Sequence, residues 1–123
     1  MKIGIAVFAH GSAVESANDA VCRMVRRFRD QSGRHLVETA FLELGRPDLP
    51  EAVESLIQRG AEKIIVVPYF LTLGRHLQHD LPRIVEKISS IHPEVEITVV
   101  PPLDGHPALV AILNDRVAEV GAE

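Results

Sequence analysis

The 123-residue sequence contains no tryptophan, only one cysteine and no long hydrophobic run. The single thiol, Cys22, cannot form an internal disulfide, and metal centres built from several thiolates are excluded with it. We therefore expect Cys22 to be a buried structural thiol. No apolar stretch reaches the roughly 18 residues that cross a bilayer, and no basic and apolar leader follows Met1. These absences predict a cytoplasmic protein with no membrane partner.

A basic excess is also lacking, because 17 Asp and Glu residues outnumber 13 Lys and Arg residues and give a formal net charge of -4. A broad nucleic-acid surface needs clustered positive charge, so we do not expect nucleic acid as a partner. Any anionic ligand must instead be bound by local arginines. The length and the 46% apolar content fit one compact domain over residues 1–123.

Short apolar runs alternate along the chain with longer segments of helical periodicity. Runs rich in Val, Ile or Phe cover residues 2–9, 36–43, 63–69 and 95–100. Nearly continuous runs of this kind are typical of parallel strands that are buried on both faces. The pattern predicts the order βαβαβαβα. We therefore expect a single α/β lobe with an open, mainly parallel four-stranded sheet and helices on both faces.

Two helix starts have recognisable signals. Asp48 stands three residues before Glu51, which is the spacing of a capping box, and this predicts the start of the second helix. Asp80 and Pro82 offer a similar start for the third helix. The third helix could instead begin nearer His76 and contain Pro82.

Two histidines follow predicted strands. His10 comes directly after the first strand, and His76 comes a few residues after the third. Right-handed crossovers place the reversal of strand order beside the first strand, which is where open α/β sheets bind ligands. Imidazole binds first-row divalent metals and transfers protons near neutral pH. The pair therefore predicts a site for a metal ion or a proton transfer, with Glu43 at the same edge.

The other four histidines have weaker positions. His35 and His92 flank turns at the opposite ends of strands, so we expect them in solvent. His79 is three residues from His76 and shares a helical face with it, which makes His79 a secondary candidate. His106 precedes the last helix, for which Asp104 or Gly105 is the expected start, and the pattern leaves its role open.

The dipeptide of His10 and Gly11 also occurs in phosphatases that use histidine as a nucleophile. Those enzymes normally have arginine before the histidine, whereas Ala9 stands there in this chain. Further phosphate-binding arginines are not evident, so the pattern argues against a phosphatase.

Four segments of the chain together resemble the small sirohydrochlorin chelatases of the class II chelatase group. They are AHGS around His10, FLE ending at Glu43 with Pro47 after it, VPYFLTLGRH ending at His76 with DLP after it, and PPLDGHP at residues 101–107. They occur in order, at suitable spacing, over nearly the whole chain. The resemblance implies a chelatase-like, flavodoxin-like three-layer lobe.

The resemblance also implies an activity. Enzymes of this group insert Co²⁺ or Fe²⁺, and in some members Ni²⁺, into the polycarboxylated tetrapyrrole sirohydrochlorin, with no nucleotide or other cofactor. His10 and His76 match the two metal-site histidines, and Glu43 matches the acidic residue of the second strand. We expect the histidines to deliver the metal and accept protons, and Glu43 to give electrostatic support or relay a proton. Cobalt and iron, and with them cobalamin and siroheme biosynthesis, are both left open.

The carboxylates of such a substrate need hydrogen-bond donors. Arginine suits them because its planar guanidinium binds a carboxylate through two hydrogen bonds. Arg83 is one such residue, although a solvated role fits it equally well, as it does Arg46. Backbone amides in loops add anion contacts, and the asparagine after the HGS segment matches the family. The expected substrate-binding residues are Arg46, Arg75, Ser12, Thr72, Gly74 and Asn18.

Larger relatives in this group enclose the tetrapyrrole between two lobes, whereas 123 residues supply one. The resemblance therefore implies a homodimer, and two-fold assemblies are the commonest oligomers. A carrier that binds the metal or the tetrapyrrole without turnover remains an alternative. It would use the same histidines, but it would not need Glu43.

Overall fold

A computed structural model describes residues 1–121. Strands and helices alternate in the predicted order over these residues. The strands are β1 (Ile3–Ala9), β2 (Val37–Phe41), β3 (Lys63–Pro68) and β4 (Glu96–Val99), and the helices are α1 (Glu15–Ser32), α2 (Leu49–Gln58), α3 (Arg75–Ile91) and α4 (Ala108–Ala118).

The four strands form one parallel sheet with the order β2-β1-β3-β4. In the central strand β1, Val7 is paired with Thr39 of β2 on one side and with Val67 of β3 on the other. The chain moves from β1 to β2 in one direction and then crosses to β3 in the other. The predicted reversal of strand order beside β1 is therefore confirmed, and open α/β sheets bind ligands at the carboxyl ends of the strands at such a point.

Alternate residues of β1 belong to two different cores. Ala6 and Phe8 pack with Leu56 and other residues of α2 and α3, whereas Ile5 and Val7 pack with residues of α1. Successive side chains of a strand point to opposite faces, so α1 covers one face and α2 with α3 covers the other. This confirms the three-layer α/β lobe. Each fully buried aliphatic or phenyl side chain contributes about 1.5–3 kcal/mol.

The capping box at the start of α2 is confirmed. The Asp48 carboxylate accepts a hydrogen bond from the Glu51 amide at 2.9 Å, and the Glu51 carboxylate accepts one from the Asp48 amide at 2.9 Å. The hydrogen bond from the Asp48 amide, together with the nearby Arg46 guanidinium, lowers the pKa of the Glu51 carboxyl below its usual value. The two reciprocal bonds satisfy amides that the helix itself leaves unpaired.

Helix α3 begins at Arg75, so the start predicted at Asp80 is wrong and the alternative near His76 is confirmed. Pro82 lies inside the helix. It removes one backbone hydrogen bond, but Leu77 and Leu81 are buried on the same helix and hold it against the sheet.

The carboxyl-terminal part of the lobe departs most from the prediction. Strand β4 was expected to be buried on both faces, yet Glu96, Thr98 and Val99 are exposed. Helix α4 begins at Ala108 and buries no residue. The prediction fails here because β4 lies at one edge of the sheet, beyond β3, and α4 does not cover it. No helix within residues 1–121 is long and apolar enough to cross a membrane.

Candidate functional site

The segments after β1 and β2 continue to pair beyond the ends of the strands. The Leu42 amide donates to the Ala9 carbonyl at 2.9 Å, and the Glu43 amide donates to the His10 carbonyl at 3.1 Å. Because these bonds extend the parallel ladder, His10 and Glu43 stand on neighbouring segments at the carboxyl edge of the sheet. The predicted meeting of these two residues at one edge agrees with this geometry.

Gly11 allows the two segments to approach this closely. Its φ of +92° lies in the left-handed region, and a Cβ placed on it would lie 1.7 Å from the Glu43 carbonyl oxygen. Any side chain would therefore overlap the backbone that carries Glu43. The glycine of the HGS segment is a requirement of the fold at this point.

The Asn18 side chain joins the same two segments. Its carbonyl oxygen accepts from the Ser12 amide at 2.9 Å, while its amide group donates to the Ser12 carbonyl at 2.9 Å and to the Leu44 carbonyl at 2.7 Å. Leu44 has a positive φ of 57°, which turns its carbonyl group within reach. Both amide hydrogens of Asn18 are thus already donated to backbone. The substrate contact expected of Asn18 stays a prediction beside this positioning role.

Replacing Asn18 with alanine is expected to remove all three hydrogen bonds and to lower the free energy of unfolding by about 2 kcal/mol, since each lost bond contributes about 1 kcal/mol and relaxation recovers part. Thermal unfolding measures this loss. Asn18→Asp keeps the oxygen that accepts from the Ser12 amide. Its second carboxylate oxygen, however, would face the carbonyl oxygens of Ser12 and Leu44 and repel them. This variant should therefore be no more stable than Asn18→Ala, and a stability equal to that of the native protein would contradict the geometry.

His10 is exposed at the edge of the sheet, and its Nδ1 lies 3.1 Å from the carbonyl oxygen of Gly11. Its ring meets Phe70 edge to face, with 6.4 Å between the ring centroids, and Phe70 in turn contacts Phe8 in the core. This packing orients the imidazole from one side and leaves the other open. Phe70 was not expected as a site residue, although its position directly after an apolar strand was a usable signal.

The segment between β3 and α3 carries the second group of predicted site residues. Gly74 caps α3, and Arg75 and His76 form its first turn. Thr72, Gly74, Arg75 and His76 are all exposed. No group of three or more His, Cys, Asp or Glu side chains within residues 1–121 is arranged to hold a metal ion. The metal-ligand roles of His10 and His76 therefore stay predictions.

Two predicted arginines differ in their surroundings. The Arg46 guanidinium forms an ion pair with Glu51 at the start of α2 and is 80% exposed. Arg83 lines an open cleft of about 550 Å³ with Asp80 and Lys87 of the same helix. Glu51 accepts from one nitrogen of Arg46, Nη2, and the other N–H groups of the guanidinium are left for a substrate carboxylate.

The remaining histidines and Cys22 take simple positions. His35 and His79 are exposed, as expected for His35. His92 was expected in solvent, but its Nε2 lies 2.7 Å from the Glu54 carboxylate. The sequence could not show this contact, because Glu54 lies on α2 and His92 follows the end of α3. The Nδ1 of His106 accepts from the Ala108 amide at the start of α4. Cys22, expected to be buried, is half-buried on α1.

The chain matches known proteins over nearly its whole length. The CbiX family model matches residues 4–120. The chain is 33% identical to the sirohydrochlorin cobaltochelatase of Methanothermobacter thermautotrophicus, over 94% of this chain and 91% of that protein. It is 31% identical to the chloroplastic sirohydrochlorin ferrochelatase of Arabidopsis thaliana, over 93% of this chain and 51% of that protein.

A solved structure agrees with these sequence matches. SirB from Bacillus subtilis with Fe³⁺ superimposes with a TM-score of 0.91 at 28% identity, and the match covers 100% of this chain and 49% of SirB. The chain thus spans about half the length of SirB and of the Arabidopsis relative. The likeness therefore includes both the fold and the sequence over the whole lobe, and the chain belongs to the CbiX family.

Proposed function

We propose that this chain is a sirohydrochlorin chelatase, which inserts Co²⁺ or Fe²⁺ into the tetrapyrrole without a nucleotide or a further cofactor. The observation that carries the proposal is His10, held exposed beside Glu43 at the reversal of strand order in a lobe of the CbiX family. Relatives named as cobaltochelatase and ferrochelatase support both metals equally. A cytoplasmic location and a place in cobalamin or siroheme biosynthesis remain predictions.

The reaction requires groups of two kinds. The entering ion replaces two protons on pyrrole nitrogens, so M²⁺ and the free tetrapyrrole give the metallated tetrapyrrole and two H⁺. We assign His10 and His76 to hold the ion, because neutral imidazole suits first-row cations. Glu43, exposed on the neighbouring segment, provides a carboxylate that supports the ion or relays a proton. A site with few ligands favours release of the ion to the macrocycle.

The carboxylates of sirohydrochlorin require cationic or amide donors near the histidines. Arg75 is exposed beside His76 in the first turn of α3, and we propose that it binds one carboxylate. The segment around Ser12 and the exposed residues Thr72 and Gly74 provide further contacts in this proposal. Arg46 provides another through the N–H groups that do not bind Glu51.

Replacing Arg75 with alanine is expected to raise the KM for sirohydrochlorin by about 10- to 100-fold, because a hydrogen bond to a charged group contributes about 1.5–3 kcal/mol. Steady-state kinetics at a saturating metal concentration measure this KM. Arg34→Ala is the matched control, since Arg34 is exposed just before β2, at the opposite edge of the sheet. An Arg75→Ala enzyme with the KM of the control would assign Arg75 to the solvated surface.

We further propose that the chain acts as a homodimer. A single lobe leaves the carboxyl edge of the sheet open, and SirB carries about as much additional chain as this protein contains in total. A second copy would supply an equivalent lobe opposite the first, so that the tetrapyrrole lies between two carboxyl edges.

An experiment with substoichiometric protein separates an enzyme from a carrier. Sirohydrochlorin in excess is mixed anaerobically with Co²⁺ or Fe²⁺ and about one hundredth of its concentration of protein, and the tetrapyrrole absorbance is followed. A chelatase converts the whole pool faster than the protein-free reaction. A carrier changes the spectrum by no more than the amount of protein present, and that result would refute the proposed enzyme.

A further inference from the structure

Helix α4 has the composition of a buried helix but lies on the surface. Residues 108–113 are six consecutive apolar residues, ALVAIL, and six residues at 100° each pass around the whole helix. A helix that is apolar on every side is normally enclosed by other protein. Here Val110, Leu113 and Val117 are more than half exposed. Within residues 1–121 no residue of this helix is buried, although its composition is that of an enclosed helix.

The lobe also contains an uncovered apolar groove. It lies between α3 and β4, has a volume of about 480 Å³, and is lined by Leu73, Leu81, Pro82, Val85 and Val99 among others. Its lining includes only two polar side chains, from Gln78 and Glu86. This is the place where a helix would cover the edge strand, and Val99 of that strand is 38% exposed.

We infer that α4 of one copy packs into the α3–β4 groove of a second copy, whose own α4 packs into the groove of the first. The inference rests on the homodimer proposed above and specifies its interface. A two-fold pair makes the same contact twice, so each apolar helix and each apolar groove gains a partner. The occupant is a second copy because this chain carries both complementary surfaces. SirB, of which this chain matches 49%, carries a further stretch of similar length within one polypeptide.

The start of α4 places this interface next to the candidate site. The Leu103 amide donates to the Phe70 carbonyl at 2.9 Å, and the Asp104 amide donates to the Leu71 carbonyl at 2.8 Å. Ala108 follows Asp104 by four residues, which reach at most about 14 Å. Phe70 is the residue against which His10 packs. An exchanged α4 therefore brings the second lobe close to the carboxyl edge of the first.

Charge substitutions on each surface test the exchange. Leu113→Glu alters the helix and Val99→Glu alters the groove. Each is expected to raise the dimer Kd by at least about 100-fold, because an apolar contact is lost and a carboxylate is desolvated in its place. Sedimentation velocity over a range of concentrations measures the Kd, and circular dichroism checks the fold. Ile91→Glu is the matched control, because Ile91 is 71% exposed and Leu113 is 67% exposed, and it should remain dimeric.

Pro82→Glu provides a second groove variant in case Val99→Glu fails to fold, since removing a proline from within α3 favours the helix. Mixing the helix variant with a groove variant distinguishes exchange from simple pairing of two α4 helices. In the mixed dimer one of the two contacts is entirely native. Native mass spectrometry should therefore detect heterodimers at a concentration where neither variant associates alone.

Three results would overturn the inference: a monomeric native protein, groove variants that dimerise like the native protein, or a mixture without heterodimers. The measurement uses neither metal nor tetrapyrrole. A protein that exchanges α4 but does not insert metal would refute only the proposed function, and an active protein with no exchange would refute only this interface.

Discussion

Replacing His10 or His76 with alanine is expected to lower the rate of metal insertion by roughly 10²- to 10⁴-fold, the range over which a group that transfers protons in the reaction contributes. In the proposed function both imidazoles hold the ion, so either loss leaves it with one fewer ligand. Both side chains are exposed, and their removal should change the free energy of unfolding by no more than about 0.5 kcal/mol. Initial rates and thermal unfolding of the same preparations separate the two effects.

His35→Ala is the matched control for these variants. His35 is also exposed, but it precedes β2 at the opposite edge of the sheet, and its backbone carbonyl accepts a hydrogen bond from Arg59. Its replacement should leave the rate unchanged. Native rates in both the His10 and the His76 variants would remove these residues from the reaction.

Replacing Gly11 with alanine is expected to destabilise the lobe by about 3 kcal/mol or more and to abolish metal insertion. The new Cβ would meet the Glu43 carbonyl oxygen at 1.7 Å, so the backbone must move, and both the overlap and the left-handed φ carry a cost. The movement would separate the segment of His10 from that of Glu43. Denaturant unfolding and initial rates measure the two consequences.

Gly33→Ala isolates the overlap from the backbone conformation. Gly33 has a φ of +71° at the end of α1, and a Cβ placed there meets no atom within 4 Å. Alanine at this position is therefore expected to lower the free energy of unfolding by about 1 kcal/mol, which is the cost of the left-handed conformation alone. If the Gly11 and Gly33 variants lost equal stability, the close approach between the loops after β1 and β2 would be contradicted.

The order and faces of the elements were predictable because they follow from local pattern. Continuous apolar runs gave the strands, and the spacing of Asp48 and Glu51 gave the start of α2. The family was also predictable, since the residues around His10 and His76 form motifs. The periodicity of a sequence indicates that a segment is apolar, but it does not indicate which surface covers that segment. For this reason β4 was predicted to be buried on both faces, whereas most of its residues are exposed.

Contacts between distant residues were beyond the sequence. Asn18 and Leu44 are 26 positions apart, and nothing local shows that one binds the carbonyl of the other. Arg46 looked available because it stands near the motif of Glu43, but its ion pair with Glu51 depends on how the chain enters α2. The site residues were therefore found by type and position, while their supporting contacts required the three-dimensional structure.

In the proposed function, this chain accelerates metal insertion through His10 and His76. Its most direct test is the initial rate of tetrapyrrole metallation by Co²⁺ and by Fe²⁺ under anaerobic conditions, with native protein, with the double variant His10→Ala and His76→Ala, and without protein. We expect the native protein to exceed both other rates severalfold or more with at least one metal. Equal rates in all three reactions, or a double variant as fast as the native protein, would contradict the claim.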